Sequence, residues 1–565
     1  MTLNPHPDFD DFFKHAPPRA RLGLVVGGSL SQGVLVKLDP GDVPGGVIED
    51  MAVGKYVVVE GRSPGKKFFS IVTDIALDST NPDLMRMPPN PDDAFTADVY
   101  ASQLAFGTLS IAPMLLLNTN SGGKPAPVKT VPAHFSLVFE ATEEDVNQVF
   151  GAEDAQHFHI GAPLDMEGVK VNLDLARFVE RSSGVFGKSG TGKSFITRTI
   201  LAGLVKAEAA VNLIFDMHND YGWSVKNEHG HEFKGLRQLF NDGRVQVITL
   251  DPDTSRHRGS KTDGELRLGL NQIEPEDVEM LAGIIGLSEV QVGALYYLRR
   301  KLGKDWIVRL LDENDTTEID QLEDEEKVQK GTLRAIQRKF EQFRPDRLGF
   351  LSLRPPPDDM VEYIFNCLNR GIHIVLEFGV YGNSLAAYVL VANYLTRRIH
   401  AKYVELKNRA AGQTGDEPRP LVITIEEAHK FLDPEIAGHT IFGTIARELR
   451  KYNVTLLIVD QRPSGIEEEV MSQIGTRVTC LLDNEADIKA VFSGVSGAAH
   501  LREVLARLDT QQQALILGHA VPMPVVVKTR DYGPDLYAAV GYLDPGAARA
   551  RTAAAKSALY GDDDA

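Results

Sequence analysis

The chain predicts an α/β fold: a core built on a mostly parallel sheet, preceded by an N-terminal β-barrel and carrying a helical insertion. Three observations point to it. The first 180 residues hold short, Val-rich runs punctuated by glycine; beyond them, strand-like and helical runs alternate; and residues 273–350 are mostly helical and polar in pattern. Evenly spaced short strands are the mark of small barrels. Strands alternating with helices imply parallel pairing, because each return crossing needs a helix.

In order along the chain, ARLGLVVGGSL, GVLVKL, KYVVVEGR and KKFFSIVTDIAL open the barrel. A Pro- and Asn-rich surface loop, DSTNPDLMRMPPNPDDAF (78–95), follows. VYASQLAFGTL, HFSLVFEA and VKVNLDLARFV complete the barrel near Val179, giving a domain of residues 1–180. AVNLIFDMH (210–218) and RVQVITLD (244–251) are strands of the first core segment, 181–272. After the insertion at 273–350, the second core segment (351–530) holds HIVLEFG, LVITIEEAH and VTLLIVDQRP, then the shorter TRVTCLLD, QQQALILG and PVVVKTRD; residues 531–565 are a tail.

Composition bounds the class. A chain of 565 residues, 43% hydrophobic and 24% charged, is expected to fold as two to four soluble globular domains. Cys367 and Cys480 are too few and too far apart for a disulfide framework or a zinc ribbon, which suggests a reducing compartment. The N-terminus lacks the basic and apolar regions of a signal peptide, and no apolar run reaches spanning length, so a cytoplasmic protein with no membrane partner is expected. The net charge of −18 does not exclude nucleic acid: LDENDTTEIDQLEDEEK (311–327), with nine acids and one lysine, supplies 8 of the 18 excess charges. Such a run is a solvated loop or helix face.

GVFGKSGTGKSF (184–195) fits G-x-x-x-x-G-K-[ST]. Gly187, Lys188, Ser189, Gly190, Thr191, Gly192, Lys193 and Ser194 form the candidate phosphate cradle. Glycines let successive N–H groups turn inward, Lys193 neutralises the β- and γ-phosphates, and Ser194 holds Mg²⁺. A helix starts there with its positive end on the anion. ATP and Mg²⁺ are therefore the expected cofactors.

LVITIEEAHKFL runs an apolar strand into two carboxylates. Ligands of open α/β sheets sit at the carboxyl ends of strands, so Glu426 and Glu427 would meet those phosphates. Glu426 is the candidate holder of the Mg²⁺ water shell, and Glu427 the candidate general base. Gln461, ending VTLLIVDQ beside the phosphate-loop strand, is the candidate sensor that bonds both γ-phosphate and attacking water. Asp216 and Asp220 face the pocket or a subunit interface; His218 reads as a structural hydrogen-bonder, since no second His or Cys lies at ligand spacing. Trp223 and Lys226 fall on a loop that faces a central channel or packs on the surface.

The phosphate loop, IFDMHNDYGW, IEEAH and IARELRKYNVTLLIVDQRPS, behind a β-barrel, together resemble the HerA family of the HerA/FtsK superfamily. The resemblance implies a RecA-like P-loop ATPase core behind a HAS-type barrel. It further implies a homo-hexameric translocase of double-stranded DNA, with a partner nuclease (NurA-like) or another defence effector. Two positions depart from the pattern. Glu426 stands where many P-loop ATPases use Asp, its longer arm still reaching a metal-bound water, and Asp220 stands where relatives often have Glu. Two further readings stay open: a non-translocating ATPase scaffold that gates an effector, and a different P-loop enzyme such as a small-molecule kinase. No dense acidic or His cluster outside the ATP site suggests a nuclease.

The helix GHTIFGTIARELRKY joins two neighbouring parallel strands and so runs antiparallel to them, starting at the phosphate end. Arg447 and Arg450 lie roughly 12–20 Å down its axis at 1.5 Å per residue. That is too far for their own γ-phosphate, and the residues alone leave two readings, solvated helix-end arginines or a face turned to a neighbouring subunit; the resemblance implies the second, with Arg450 first, and Arg447 second, as the candidate arginine fingers.

Overall fold

The structure is a computed structural model; it describes residues 21–39, 48, 51–80, 92, 105–118, 125–164, 166, 168–226, 230–312, 329–448, 451–495, 498–506, 508–509 and 512–542. The chain divides into two compact units: Met1–Ala152 with Ala162–Val171 and Ser496–Arg507, and Glu153–Gly161 with Asn172–Val495 and Leu508–Ala565.

The first unit holds a closed barrel of six antiparallel strands. Around the ring these are Gly33–Leu38, Arg21–Ser29, Leu137–Glu140, Tyr56–Glu60, Lys66–Ser79 and Ala105–Asn118. Closure is the pairing of Val34 with Ile111 and Lys37 with Thr108. Val34, Val36 and Leu38 point inward at period two, with Leu22, Val57, Val59, Phe68, Val72 and Val138. Leu35 between them is exposed. Register shifts at Val25/Gly27 and Val72/Asp74 bend long strands round the small core. Gly28, at φ +109°, is required beside the first hairpin, since a Cβ there would lie 2.3 Å from the Gly33 carbonyl oxygen.

Two expectations change. Asp78 and Ser79 close a strand rather than open a loop; most of 78–95 lies outside the described residues, as do 313–327 of the acidic run and 543–565 of the tail. VKVNLDLARFV does not belong to the barrel. Val171–Asp174 is a strand of the second unit's sheet, and Leu175–Val179 a helix capped by Asp174, which accepts the Arg177 N–H at 2.9 Å. The barrel strands therefore end at Glu140, not near Val179.

The second unit is built on one twelve-stranded sheet. Its spatial order is Gly264–Glu265, Val245–Thr249, His373–Glu377, Val211–Asp216, Leu421–Glu426, Val454–Asp460, Ser183–Phe186, Thr476–Thr479, Gln513–Gly518, Val525–Thr529, His157–Ala162 and Val171–Asp174. The first eight are parallel, and Gln513–Gly518 and Val525–Thr529 add antiparallel pairs. VNLIFD, LVITIE and VTLLIVD are buried along their whole length, as strands covered on both faces by helices must be. Within 273–350, helices Pro275–Glu279, Ala282–Ile285, Glu289–Leu302, Trp306–Leu310 and Lys330–Phe340 confirm the helical reading. Trp306 anchors them, fully buried, with its indole N–H on the Ile273 carbonyl at 3.0 Å.

Candidate functional site

The carboxyl ends of the central parallel strands surround a cavity of about 500 Å³ lined by Gly190, Gly192, Lys193, Ser194, Glu426, Glu427 and Gln461, among others. Ser183–Phe186 delivers the glycine loop to it. Gly187, Gly190 and Gly192 sit at φ 151°, 81° and 93°, values that L side chains rarely adopt. At Gly187 a Cβ would also come within 2.8 Å of the Cys480 Cβ and 2.9 Å of Thr191 Oγ1. The helix Lys193–Ala207 begins on left-handed Gly192 with no side-chain cap. Its first amides are thus left for an anion. Thr191 Oγ1 and Lys193 Nζ both donate to the Lys188 carbonyl at 2.8 Å, fixing the loop. Burial lowers the Lys193 ammonium from its ordinary value, against the pull of Cys480, Glu427, Asp460 and Glu426. Lys188 pairs with Asp483 at 2.8 Å and is not among the cavity-lining side chains.

Glu426 ends its strand with 6% of its surface exposed. Oε1 accepts the Tyr221 hydroxyl at 2.9 Å. The Tyr388 hydroxyl bridges the Glu426 backbone, donating to its carbonyl and accepting its N–H, both at 3.1 Å. Oε2 is buried without a hydrogen-bond partner. Burial, reinforced by Asp216, pushes this carboxyl up to about 8. A buried, unpartnered carboxylate oxygen on a residue that lines the same cavity as Ser194 fits a hydrated divalent cation, whose charge would reverse that shift.

Glu427 is turned out of the strand by a left-handed backbone, φ 48°. Such strain costs about 1–3 kcal/mol and collects at functional sites. Its Oε1 accepts the Gln461 amide at 2.9 Å, and Oε2 lies 3.6 Å from His429 Nδ1. Asp460, buried, in turn accepts the His429 N–H at 2.7 Å, the Arg462 N–H at 2.6 Å and His429 Nδ1 at 3.0 Å. Among the described residues, Glu427, His429 and Asp460 are a His/acid group close enough to share a cation.

Asp216 is fully buried and accepts the N–H groups of Asp220, Tyr221 and Gly222 at 2.6, 2.8 and 3.2 Å, so it shapes the turn that presents Tyr221. Burial raises it to about 6. Asp220 and His218 line the cavity. Trp223 donates to the Lys261 carbonyl at 2.9 Å, and Lys226 lies in a small ribbon, Val225–Lys226 paired with Glu232–Phe233. Arg447, on the helix Ile441–Glu448, pairs with Glu467 and, at 3.1 Å, with Glu469. Arg450 lies outside the described residues. Sequence reasoning missed Tyr221, Tyr388, His429 and Asp460. Three of them stood inside the blocks that carry the resemblance, Tyr221 in IFDMHNDYGW, His429 in IEEAH and Asp460 before Gln461, whereas Tyr388 carried no signal.

Glycine loop, helix terminus and strand-end acids on a parallel sheet together define a P-loop ATPase. A model of the helicase HerA central domain matches residues 158–399. The DNA double-strand break repair helicase HerA of Sulfurisphaera tokodaii is 34% identical over 421 residues, covering 72% of this chain and 75% of that protein. The Pyrococcus furiosus protein of the same description is 21% identical over 457 residues, covering 78% and 81%. The bacterial conjugative coupling protein TrwBdeltaN70 superposes with a TM-score of 0.46 at 11% identity, over 70% of this chain and 93% of that one. The chain belongs to the HerA family. Among the described residues, no helix is long and apolar enough to cross a membrane.

Proposed function

We propose that this chain is the subunit of a homo-hexameric motor that hydrolyses ATP to translocate double-stranded DNA. It would work with a partner nuclease (NurA-like) or another effector, in DNA end processing or antiphage defence. One observation carries the chemistry: Glu427, bonded by Gln461, lines the same cavity as Lys193 and Ser194. In this reading the loop amides and Lys193 bind the phosphates, while Ser194, and Glu426 through the water shell, would hold Mg²⁺, which would supply charge neutralisation at the γ-phosphate. Glu427 takes the proton of the attacking water. The Gln461 amide, which meets Glu427 at 2.9 Å, would serve as a sensor by bonding both the γ-phosphate and the attacking water. Arg450 is the finger supplied to the neighbour; Arg447 would first have to leave Glu467 and Glu469.

The similarity to DNA double-strand break repair helicases supports DNA as substrate. The test is ATP hydrolysis by the assembled protein with and without short duplex DNA. Stimulation by duplex is expected. A rate indifferent to DNA, with assembly intact, would favour the non-translocating scaffold.

A further inference from the structure

The amino ends of the central strands gather cations. Val245–Thr249, His373–Glu377, Val211–Asp216 and Leu421–Glu426 are consecutive in the sheet. The turns that enter them enclose a pocket of about 190 Å³. Arg244 stands one residue before its strand, Arg370 three before His373 and Arg419 two before Leu421; all three line the pocket, with His373 and Glu208. The cavity of the phosphate loop lies a strand length away, about 16–20 Å at ~3.3 Å per residue, and no residue lines both.

Arg244 already has partners: Nε meets Asp242 at 2.7 Å and Nη1 meets Glu208 at 3.9 Å. Arg370 and Arg419 are exposed, and among the described residues their side chains make no ion pair and no hydrogen bond. A Cβ on Gly371 would stand 3.4 Å from Arg419 Cζ, so Arg419 lies against the turn that carries Arg370. His373 is 2% exposed. The Asn212 N–H donates to its Nδ1 at 3.1 Å, so the ring proton sits on Nε2. Burial, reinforced by Arg244 and Arg419, lowers this imidazole to about 4, which makes it a neutral donor and not a fourth cation.

Guanidiniums gathered in one pocket repel each other unless an anion lies among them. Their planar fork matches the paired oxygens of a phosphate. With Arg244 held by its carboxylates, two unpaired positive charges remain, the complement of one dianion. At ~30 Å³ for each water the pocket has room for about six, enough for such an ion and too little for a nucleotide. We propose that this pocket is a second anion site, separate from the phosphate loop, in which Arg370, Arg419 and the His373 Nε2–H hold a phosphate dianion, either inorganic phosphate or the end of a phosphomonoester.

Calorimetric titration of the full-length Lys193→Ala protein with inorganic phosphate, at fixed ionic strength, tests the site, because the phosphate loop is then disabled. Saturable uptake of one phosphate per chain is expected, with sulfate competing and acetate not. Adding Arg370→Gln or Arg419→Gln, both exposed side chains, should weaken phosphate at least about tenfold, the loss of a charge-assisted bond. Adding Arg256→Gln, which removes an exposed cation beyond the carboxyl end of Val245–Thr249, should leave affinity within about twofold. Glycerol phosphate binding as tightly as inorganic phosphate would support a monoester as the source; inorganic phosphate preferred about tenfold or more would support the free ion. No saturable uptake, or equal weakening by Arg256→Gln and the two pocket variants, would overturn the proposal.

Discussion

Glu427 and Glu426 are adjacent carboxylates with opposite environments. Glu427 is part-exposed and clamped by Gln461; Glu426 is buried, with one oxygen on Tyr221 and the other on nothing. Different tasks follow, and they separate by mutation. Glu427→Gln should bind ATP with affinity near that of wild type and hydrolyse it at under about a tenth of the rate, since general bases contribute 10²–10⁴. Faster turnover in a steady-state phosphate-release assay would remove Glu427 from the base role. Lys193→Ala should lose nucleotide binding, read by calorimetric titration with ADP and Mg²⁺. For Glu426 the signature is pH. Its carboxyl is raised from 4.5 to about 8, so the folded chain holds a proton that the unfolded chain has released. The stability linked to that proton is complete below about 4.5 and is lost as pH rises towards 8. Without Mg²⁺ and nucleotide, the melting temperature should therefore fall across that window. Glu426→Gln, which never ionises, should flatten the fall; an unchanged slope would place the buried proton elsewhere, with Asp216 and Glu377 the next groups to test.

At the scale of the element, the phosphate loop depends on backbone room more than on side chains. Gly187→Ala would place a Cβ 2.8 Å from that of Cys480, on the neighbouring strand's end, at a φ of 151°. Either the loop or Thr476–Thr479 has to shift. Nucleotide affinity should fall by more than about tenfold while the melting temperature drops only slightly, because the loop is a small part of the sheet. Pairing Gly187→Ala with Cys480→Gly, which removes the Cβ it meets, should recover little, since the φ constraint remains; full recovery would show that the contact alone excludes a side chain. The octet 187–194 was legible in sequence because its requirements are local: glycine for left-handed φ, a cation, a hydroxyl, a helix start. So were the central strands, whose continuous apolar runs admit only a twice-covered sheet. VKVNLDLARFV was misplaced for a complementary reason. Period-two apolar runs look alike in a barrel and at a sheet edge, and only the pairing partner separates them.

At the scale of the molecule, the unit boundary changes how the barrel is tested. Deleting residues 1–180 would remove His157–Ala162 and Val171–Asp174, two strands of the ATPase sheet; deleting 1–152 stops at the boundary. The shorter deletion should retain nucleotide binding and lose stable hexamer or partner association by mass photometry. Intact assembly would mean that the barrel organises neither. The ring itself is tested by mixing. Arg450→Ala and Glu427→Gln subunits, each inactive alone, should regain part of the ATPase activity when co-assembled, because some interfaces pair an intact base with an intact finger. A cis arginine leaves every site with one defect, so no recovery in verified mixed rings would rule out Arg450 as the trans finger.

The sequence by itself determined the α/β class, the order of the central strands' chemistry, the phosphate loop, the acid pair and the family. The phosphate loop and the acid pair are each carried by one short stretch, where spacing and residue type suffice, and the class and family by the succession of such stretches along the chain. Only the tertiary structure decided what surrounds them. Tyr221 reaches Glu426 from 205 residues away, Tyr388 from 38 and Asp460 meets His429 from 31. No local pattern encodes those distances. They arise because parallel strands bring distant chain ends to one edge of the sheet, and burial there decides which carboxyl keeps its proton.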